Sequence, residues 1–289
     1  MPADKDSISN TFIVATSVCL VCSLIVSSAA VGLKSIQDRN VALDKKKNIL
    51  QVSGFAEDEI NQVGIEALFD QRFKVKLINL ETGEDATSEE LGPMLEAMKL
   101  QEGEQLTKYD QIKAAKSKLE AACDQLDKAT DIAQIKFREK YSFVYLQYDE
   151  SGENVQSYVF PIRGYGLWST LKGYLSVQPD FQTINGLTYY EHAETPGLGG
   201  EVDNPAWKAK WSNKKIYGDD QSVRINVIKG VAGDNPYGVD GLSGATITSK
   251  GVTSMLQYWL GPNGFGPFIN KTKTGGTTAG KSAAGGNHG

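Results

Sequence analysis

The chain is poor in the residues that build catalytic and metal centres. Its 289 residues include only 3 Cys and 2 His. Three cysteines make no disulfide framework, and so few soft ligands argue against a protein-built zinc or iron–sulfur site. One histidine, His288, lies in a Gly-rich terminal stretch. A Ser–His–Asp triad would rest on His192 alone, and no nucleophile–base pair is visible. An excess of positive charge is also lacking: 30 Lys and Arg against 35 Asp and Glu give a formal net charge of −5. With no basic stripe, nucleic acid is disfavoured as a partner. No Gly-x-Gly-x-x-Gly follows a strand, and strands and helices do not alternate regularly, which disfavours a Rossmann fold.

What the chain has first is an apolar run. Residues 11–33, TFIVATSVCLVCSLIVSSAAVGL, carry no charge. At ~1.5 Å per residue, about 20 apolar residues span a hydrocarbon core of roughly 30 Å, and a helix satisfies its backbone there. Residues 27–30 offer small side chains of the kind a signal-peptide cleavage site uses. The run is longer than the roughly 7–15 residues of a signal-peptide core, however, and its leading end is poorly basic. A retained anchor is therefore expected, with residues 1–10 as a short N-terminal segment before it. Lys34, Arg39 and the three lysines at 45–47 follow the span, and the positive-inside rule would put that side in the cytoplasm. Cys19 and Cys22 share one helix face within the span and read as small packing residues rather than a redox pair.

Beyond the span, Ile36, Asn40, Leu43 and Leu50 recur at helical intervals, and Ile60, Val63, Ala67 and Leu68 mark a second helix. Phe73, Val75 and Leu77 alternate with Lys74 and Lys76, as in a strand with one wet face. Residues 84–138 are polar and show no strong strand; surface helices are expected between Tyr109 and Phe137, and the stretch reads as a variable polar helical insertion. Strands are expected at 142–146, 155–162, 171–177, 184–190 and 223–228. Strands in meander order with few helices predict an α+β fold, a mainly antiparallel sheet flanked by helices. Val252, Met255, Leu256, Trp259 and Leu260 mark one face of a later helix, with Thr248 or Ser249 suited to the N-cap and Gly261-Pro262 to the stop. The folded domain would thus cover 34–271. The tail 272–289 is too poor in apolar residues to order itself.

Three Gly-rich segments stand out in the second half. They are Arg163-Gly164-Tyr165-Gly166-Leu167-Trp168, Glu194-Thr195-Pro196-Gly197-Leu198-Gly199-Gly200-Glu201, and Asp240-Gly241-Leu242-Ser243-Gly244-Ala245-Thr246. Glycine lets backbone approach a ligand closely. Trp168 and Leu198 would offer surface to an aromatic ring system, and Thr195 with the neighbouring N–H groups would offer donors. The third segment sets hydroxyls among residues with almost no side chain, just before a helix, where a phosphate can reach the backbone. On composition alone, ordinary tight turns with Trp168 in the core are the simpler reading.

Longer motifs narrow this. VCSLIVSSAAVGL, RNVALDKKKNIL, PIRGYGLWS, TYYEHAETPGLGGEV, GVDGLSGATITSKGV and WLGPNGFGPF occur in that order. On these the chain resembles the C subunits of the Na⁺-translocating NADH:quinone reductases over most of its length. The resemblance implies FMN joined through its phosphate to Thr246 by a separate flavin transferase. Asp240, Ser243, Gly244 and Ala245, with Thr246, would form the signal that this enzyme reads. Trp168, Thr195, Gly197, Leu198, Gly199, Ser243, Gly244 and Ala245 would line the flavin site. It further implies a flavoprotein relaying electrons from NADH towards ubiquinone, coupled to Na⁺ export, with the other subunits and membrane lipid as partners. The flavin domain would lie on the periplasmic side of the bacterial inner membrane and residues 1–10 in the cytoplasm, opposite to the arrangement indicated by the charge bias. A sibling family, the G subunits of ferredoxin:NAD electron-transport complexes, shares the flavinylation signal; the N-terminal and juxtamembrane agreement favours the sodium pump.

Overall fold

The structure, a computed structural model, describes residues 7–105 and 108–279. His288 and the rest of the tail from 280 lie outside the described residues, as do residues 1–6. The apolar run lies in α1 (Ile8–Val52), one uninterrupted helix. It starts earlier and runs further than 11–33 because the amphipathic stretch after the apolar run continues the same helix. The chain divides within α1, between Lys45 and Lys46. In the first unit α1 is long and apolar enough to cross a membrane. Its apolar window is wholly exposed, with Phe12, Ile13, Val18, Leu24 and Val26 all more than half accessible. The core helix of a soluble domain would hide such a surface.

The second unit begins with the last turns of α1, where Ile49, Leu50 and Val52 are buried. Next come α2 (Glu57–Val63) and α3 (Ile65–Arg72), then β1 (Phe73–Asn79). α4 (Ser88–Ala97) opens on a capping box: the Thr87 hydroxyl accepts from the Glu90 N–H, and the Glu90 carboxylate accepts from the Thr87 N–H. Asp110 caps α5 (Gln111–Ser117) by accepting from Ile112 and Lys113. β2 (Cys123–Gln125) pairs antiparallel with β3 (Phe137–Glu139).

β4 (Tyr141–Tyr148), β5 (Val155–Tyr165), β6 (Thr170–Val177) and β7 (Ile184–Glu191) follow as a meander. With β1 on the far edge they form a five-stranded sheet in the order β1-β4-β5-β6-β7, antiparallel throughout. The chain then passes through a 3-10 turn, Gly199–Asp203, and a short helix α6 (Pro205–Lys208). β8 (Asn226–Val227) and β9 (Gly238–Val239) pair in parallel before α7 (Thr246–Leu260) and α8 (Gly266–Ala279).

Both sheet faces are covered, so β5 is buried from Ser157 through Gly164. Alternation divides its side chains between two cores. Tyr158, Phe160 and Ile162 join Met255, Leu256 and Trp259 of α7 and Phe268 of α8. Val159 points the other way, to Ile49, Leu50, Phe69 and Tyr174. The predicted α7 face, Val252, Met255, Leu256, Trp259 and Leu260, is entirely buried. Each such side chain stabilises the packing of α7 on the sheet by roughly 1.5–3 kcal/mol.

Four expectations are corrected. Residues 84–138 are no run of surface helices: Leu91, Met94, Leu95, Tyr109, Ala114 and Ala122 build a third core with Tyr141 and Phe143, and β2–β3 adds a small sheet. Scattered apolar residues in a charged background hid that core. The strand expected at 223–228 reduces to β8: ahead of it Val223 makes only an isolated bridge to Tyr217, and the Arg224 and Ile225 N–H groups both donate to the Ile216 carbonyl, so no ladder forms there. Residues 272–279 continue α8. Buried Phe268 and Ile269 anchor that helix, and the Thr272 and Thr274 hydroxyls donate back to the carbonyls of Phe268 and Asn270. Finally, α7 starts at Thr246, so Thr248 and Ser249 lie inside its first turn and do not cap it.

Candidate functional site

The three Gly-rich segments meet at the start of α7. The first leaves the end of β5 and is held down by that helix. The Trp259 indole donates to the Arg163 carbonyl at 2.7 Å. The Arg163 guanidinium sits over the Trp259 ring at 5.2 Å and pairs with buried Glu139 at 2.5 Å. Loop and helix touch backbone to backbone: a Cβ on Gly251 would come within 2.3 Å of the Tyr165 carbonyl oxygen.

Glu194 ties the second segment to the other two. Its carboxylate accepts from the N–H groups of Leu167, Trp168 and Ser169 at 3.0–3.2 Å. It also accepts from the Thr248 hydroxyl of α7 at 2.7 Å. Glu194 is 4% exposed. Burial pushes its carboxyl pKa up, but the Thr248 hydroxyl and the loop amides outweigh this and hold it below the usual carboxylate value. Two glycines make room for the group. A Cβ on Gly166 would lie 2.6 Å from one carboxylate oxygen, and one on Gly199 would lie 2.7 Å from the other.

The third segment turns at Ser243 and Gly244. Gly244 has φ +70°, a conformation that favours glycine. A Cβ there would also press to 2.9 Å from the Leu198 side chain, so Leu198 reaches across to this turn. The first intrahelical bond of α7 runs from the Ser249 N–H to the Ala245 carbonyl. The N–H groups of Thr246, Ile247 and Thr248 precede it, and Ala245 brings no capping side chain. Such an end suits an anion. Thr246, the first helical residue, is exposed. It lines a cavity of about 540 Å³ together with Asp240, Ser243, Gly244, Lys210, Lys229 and Lys250. Asp240 stabilises this wall: it accepts from the Ala232 N–H at 2.7 Å, pairs with Lys210, and its carbonyl accepts from the Trp207 indole. The Ala232 N–H and Lys210 hold its carboxyl below the usual range.

The predicted site residues thus fall into distinct roles. Asp240, Ser243, Gly244 and Thr246 share the cationic cavity; Ala245 is buried behind it. Trp168 is 65% exposed, so it does not fill the core. Leu198 is likewise exposed, as are Leu167 and Ile247. Thr195 is an exposed loop residue whose carbonyl accepts from the Leu198 and Gly200 N–H groups. Gly197 has φ +75° in the same turn, and Gly199 packs on Glu194 and Thr248. Glu194, Thr248 and the lysines were not singled out from the sequence as site residues. An exposed apolar surface beside an anion-ready helix end with lysines fits a ligand with a flat ring at one end and a phosphate at the other.

The comparisons with known proteins agree. The FMN-binding domain family matches residues 166–261, from the first Gly-rich loop to the glycine that ends α7. The C subunit of the Na⁺-translocating NADH-quinone reductase of Pseudomonas aeruginosa is 41% identical over 278 residues, 94% of this chain and 99% of the relative. Its Vibrio parahaemolyticus counterpart is 40% identical over 96% of this chain and 99% of the relative. The chain belongs to this C-subunit family. Among solved structures, Shewanella oneidensis NqrC superposes with a TM-score of 0.67 at 32% identity, covering 79% of this chain and 96% of that one. The Parabacteroides distasonis C subunit gives a TM-score of 0.57 at 28% identity, covering 82% and 96%. The C-subunit relatives cover 94–96% of this chain, and the sibling G-subunit reading is not favoured.

Proposed function

We propose that this C subunit is an electron relay whose FMN is tethered by a phosphoester to the Thr246 hydroxyl. The observation that carries this reading is the setting of Thr246: an exposed hydroxyl at the first position of α7, on a cavity shared with Lys210, Lys229 and Lys250. Bound FMN supplies the redox chemistry by accepting electrons and passing them on. The chain's own residues hold and place it. The α7 N-terminus and the lysines take the phosphate charge. Trp168, Leu198 and Ile247 offer the ring system apolar contact, and Gly244 keeps the turn close enough for Leu198 to reach it.

A separate flavin transferase reads the segment from Asp240 to Thr246 and makes the ester: the Thr246 oxygen attacks the flavin-side phosphorus of an activated FMN phosphoanhydride, the other half of the anhydride leaves, and the hydroxyl proton is released. Asp240 acts there by fixing the segment's shape against Ala232, Lys210 and Trp207. The apolar part of α1 stays in the bilayer as an anchor, the flavin domain lies on the periplasmic side, and the remaining subunits supply the electron donor and acceptor. Within the complex the flow runs from NADH towards ubiquinone and is coupled to Na⁺ export. Intact mass tests the tether. The full chain co-expressed with a flavin transferase should gain one FMN, and Thr246→Ala should gain none. Unmodified wild-type chain under those conditions would contradict the reading.

A further inference from the structure

Glu194 does more than close a loop. A buried carboxylate with this many donors is costly unless each is placed for it. Here the donors come from two elements separated in sequence: the amides of Leu167, Trp168 and Ser169, and the Thr248 hydroxyl one turn from the start of α7. Oε1 takes the Trp168 and Ser169 amides, Oε2 takes Thr248, and the Leu167 amide reaches both. The carboxylate therefore bridges the loop bearing Trp168 to the turn of helix bearing Thr246.

Glu194 is itself held on its backbone. Its N–H donates to Nδ1 of His192 at 3.2 Å, and Nε2 of that ring lies 2.6 Å from Asp203. The Ser169 hydroxyl closes the arrangement, accepting from the Ala193 N–H at 2.8 Å. Gly166 and Gly199 leave no space for a side chain beside either oxygen. The geometry suits a carboxylate: Oε1 takes only loop donors, while Oε2 takes the Leu167 amide of the loop and the Thr248 hydroxyl of the helix together.

We propose that Glu194 is the positioning residue of the flavin site: its carboxylate sets the register between the Trp168 loop and the first turn of α7, and so fixes the ring-binding surface relative to the Thr246 tether. This rests on the reading of Thr246 as the tether. Glu194 takes no part in forming the ester, because the segment from Asp240 to Thr246 has its own anchor in Asp240. Tethering and ring placement are then separable.

The test uses the full chain co-expressed with a flavin transferase, as wild type, Glu194→Ala, Glu194→Gln and Thr248→Val. Intact mass reports the tether, polarisation of flavin fluorescence reports how firmly the rings are held, and amide exchange at Leu167, Trp168 and Ser169 reports the bridge with or without FMN. In Glu194→Ala one FMN is still attached, its fluorescence polarisation falls, and exchange at the three amides rises about 10-fold or more, as loss of bonds to a charged acceptor implies. Thr248→Val leaves the three amides protected and lowers the polarisation, because it cuts only the helix side. Glu194→Gln keeps part of the protection and restores part of the polarisation. Unchanged exchange and unchanged polarisation in Glu194→Ala would overturn the proposal. If Glu194→Ala does not fold, Thr248→Val decides, and wild-type polarisation in that variant overturns it. Wild-type chain without FMN would defeat the tether reading instead, and the exchange measurement would still settle the bridge.

Discussion

The two sides of the site are held by different means. Around residues 163–169 and 194–201 the fixed point is Glu194, a buried carboxylate, and what faces outward is apolar: Leu167, Trp168 and Leu198. Around residues 229–250 the fixed point is Asp240, partly exposed and paired with Lys210, and what faces outward is hydroxylic and cationic. A buried anchor gives a rigid frame, because breaking it strands donors away from water. A partly exposed anchor gives a softer frame. Under the proposed function the contrast would match two tasks: one side would orient a ring system, and the other would present a hydroxyl for modification and then hold a phosphate.

Substitutions on each side can break or sharpen this contrast. Thr246→Ala has the largest effect on the tether, abolishing covalent FMN. Because Thr246 is exposed, unfolding of the apo chain in denaturant shifts by no more than about 0.5 kcal/mol. Glu194→Ala has the largest effect on stability, about 2–4 kcal/mol in the same measurement, since loop amides and a buried hydroxyl lose their acceptor. Its pH dependence follows from the lowered carboxyl value. Glu194 contributes its full stabilisation above the unfolded carboxyl pKa of about 4.3, and the contribution fades as pH falls through the lower folded value. Wild type should therefore lose stability on acidification more steeply than Glu194→Gln, as urea titrations across that range will register.

Asp240→Ala costs less, about 1 kcal/mol by denaturant unfolding. The exposed pair with Lys210 is worth little, and most of the loss is the Ala232 N–H bond. A cost equal to that of Glu194→Ala would erase the contrast. Trp168→Ala has the smallest effect on folding, within about 0.5 kcal/mol, because the indole is exposed. Its effect belongs to the ligand: the proposed contact of the indole with the rings would quench flavin fluorescence, which should rise in the loaded variant.

The parts legible in the sequence were contiguous ones. The segment from Asp240 to Thr246 could be read because its residues adjoin, and the strands from β4 to β7 because each carries a dense apolar run between turns. Glu194 lies in the second Gly-rich segment, but its partners stand 26 residues away at Trp168 and 54 away at Thr248, so nothing local marks its role. Thr248 looked like a cap because hydroxyls favour helix starts; its hydroxyl instead donates sideways to Glu194. Trp168 is open to two readings on composition, core filling or ring contact, and the fold shows it facing out. The third core escaped notice because Leu91, Met94 and Tyr109 are spread among charges. The Thr87–Glu90 capping box was the local sign that this region is built.

Peptide mapping decides whether the hydroxyl of Thr246 bears the flavin. Trypsin should release residues 230–250 of the loaded chain as one peptide, which holds Ser243, Thr246, Thr248 and Ser249. This peptide should carry the mass of one FMN, and fragmentation should place it on Thr246. FMN on Ser243 or another residue, or a wild-type peptide with no added mass after co-expression with the transferase, would contradict it.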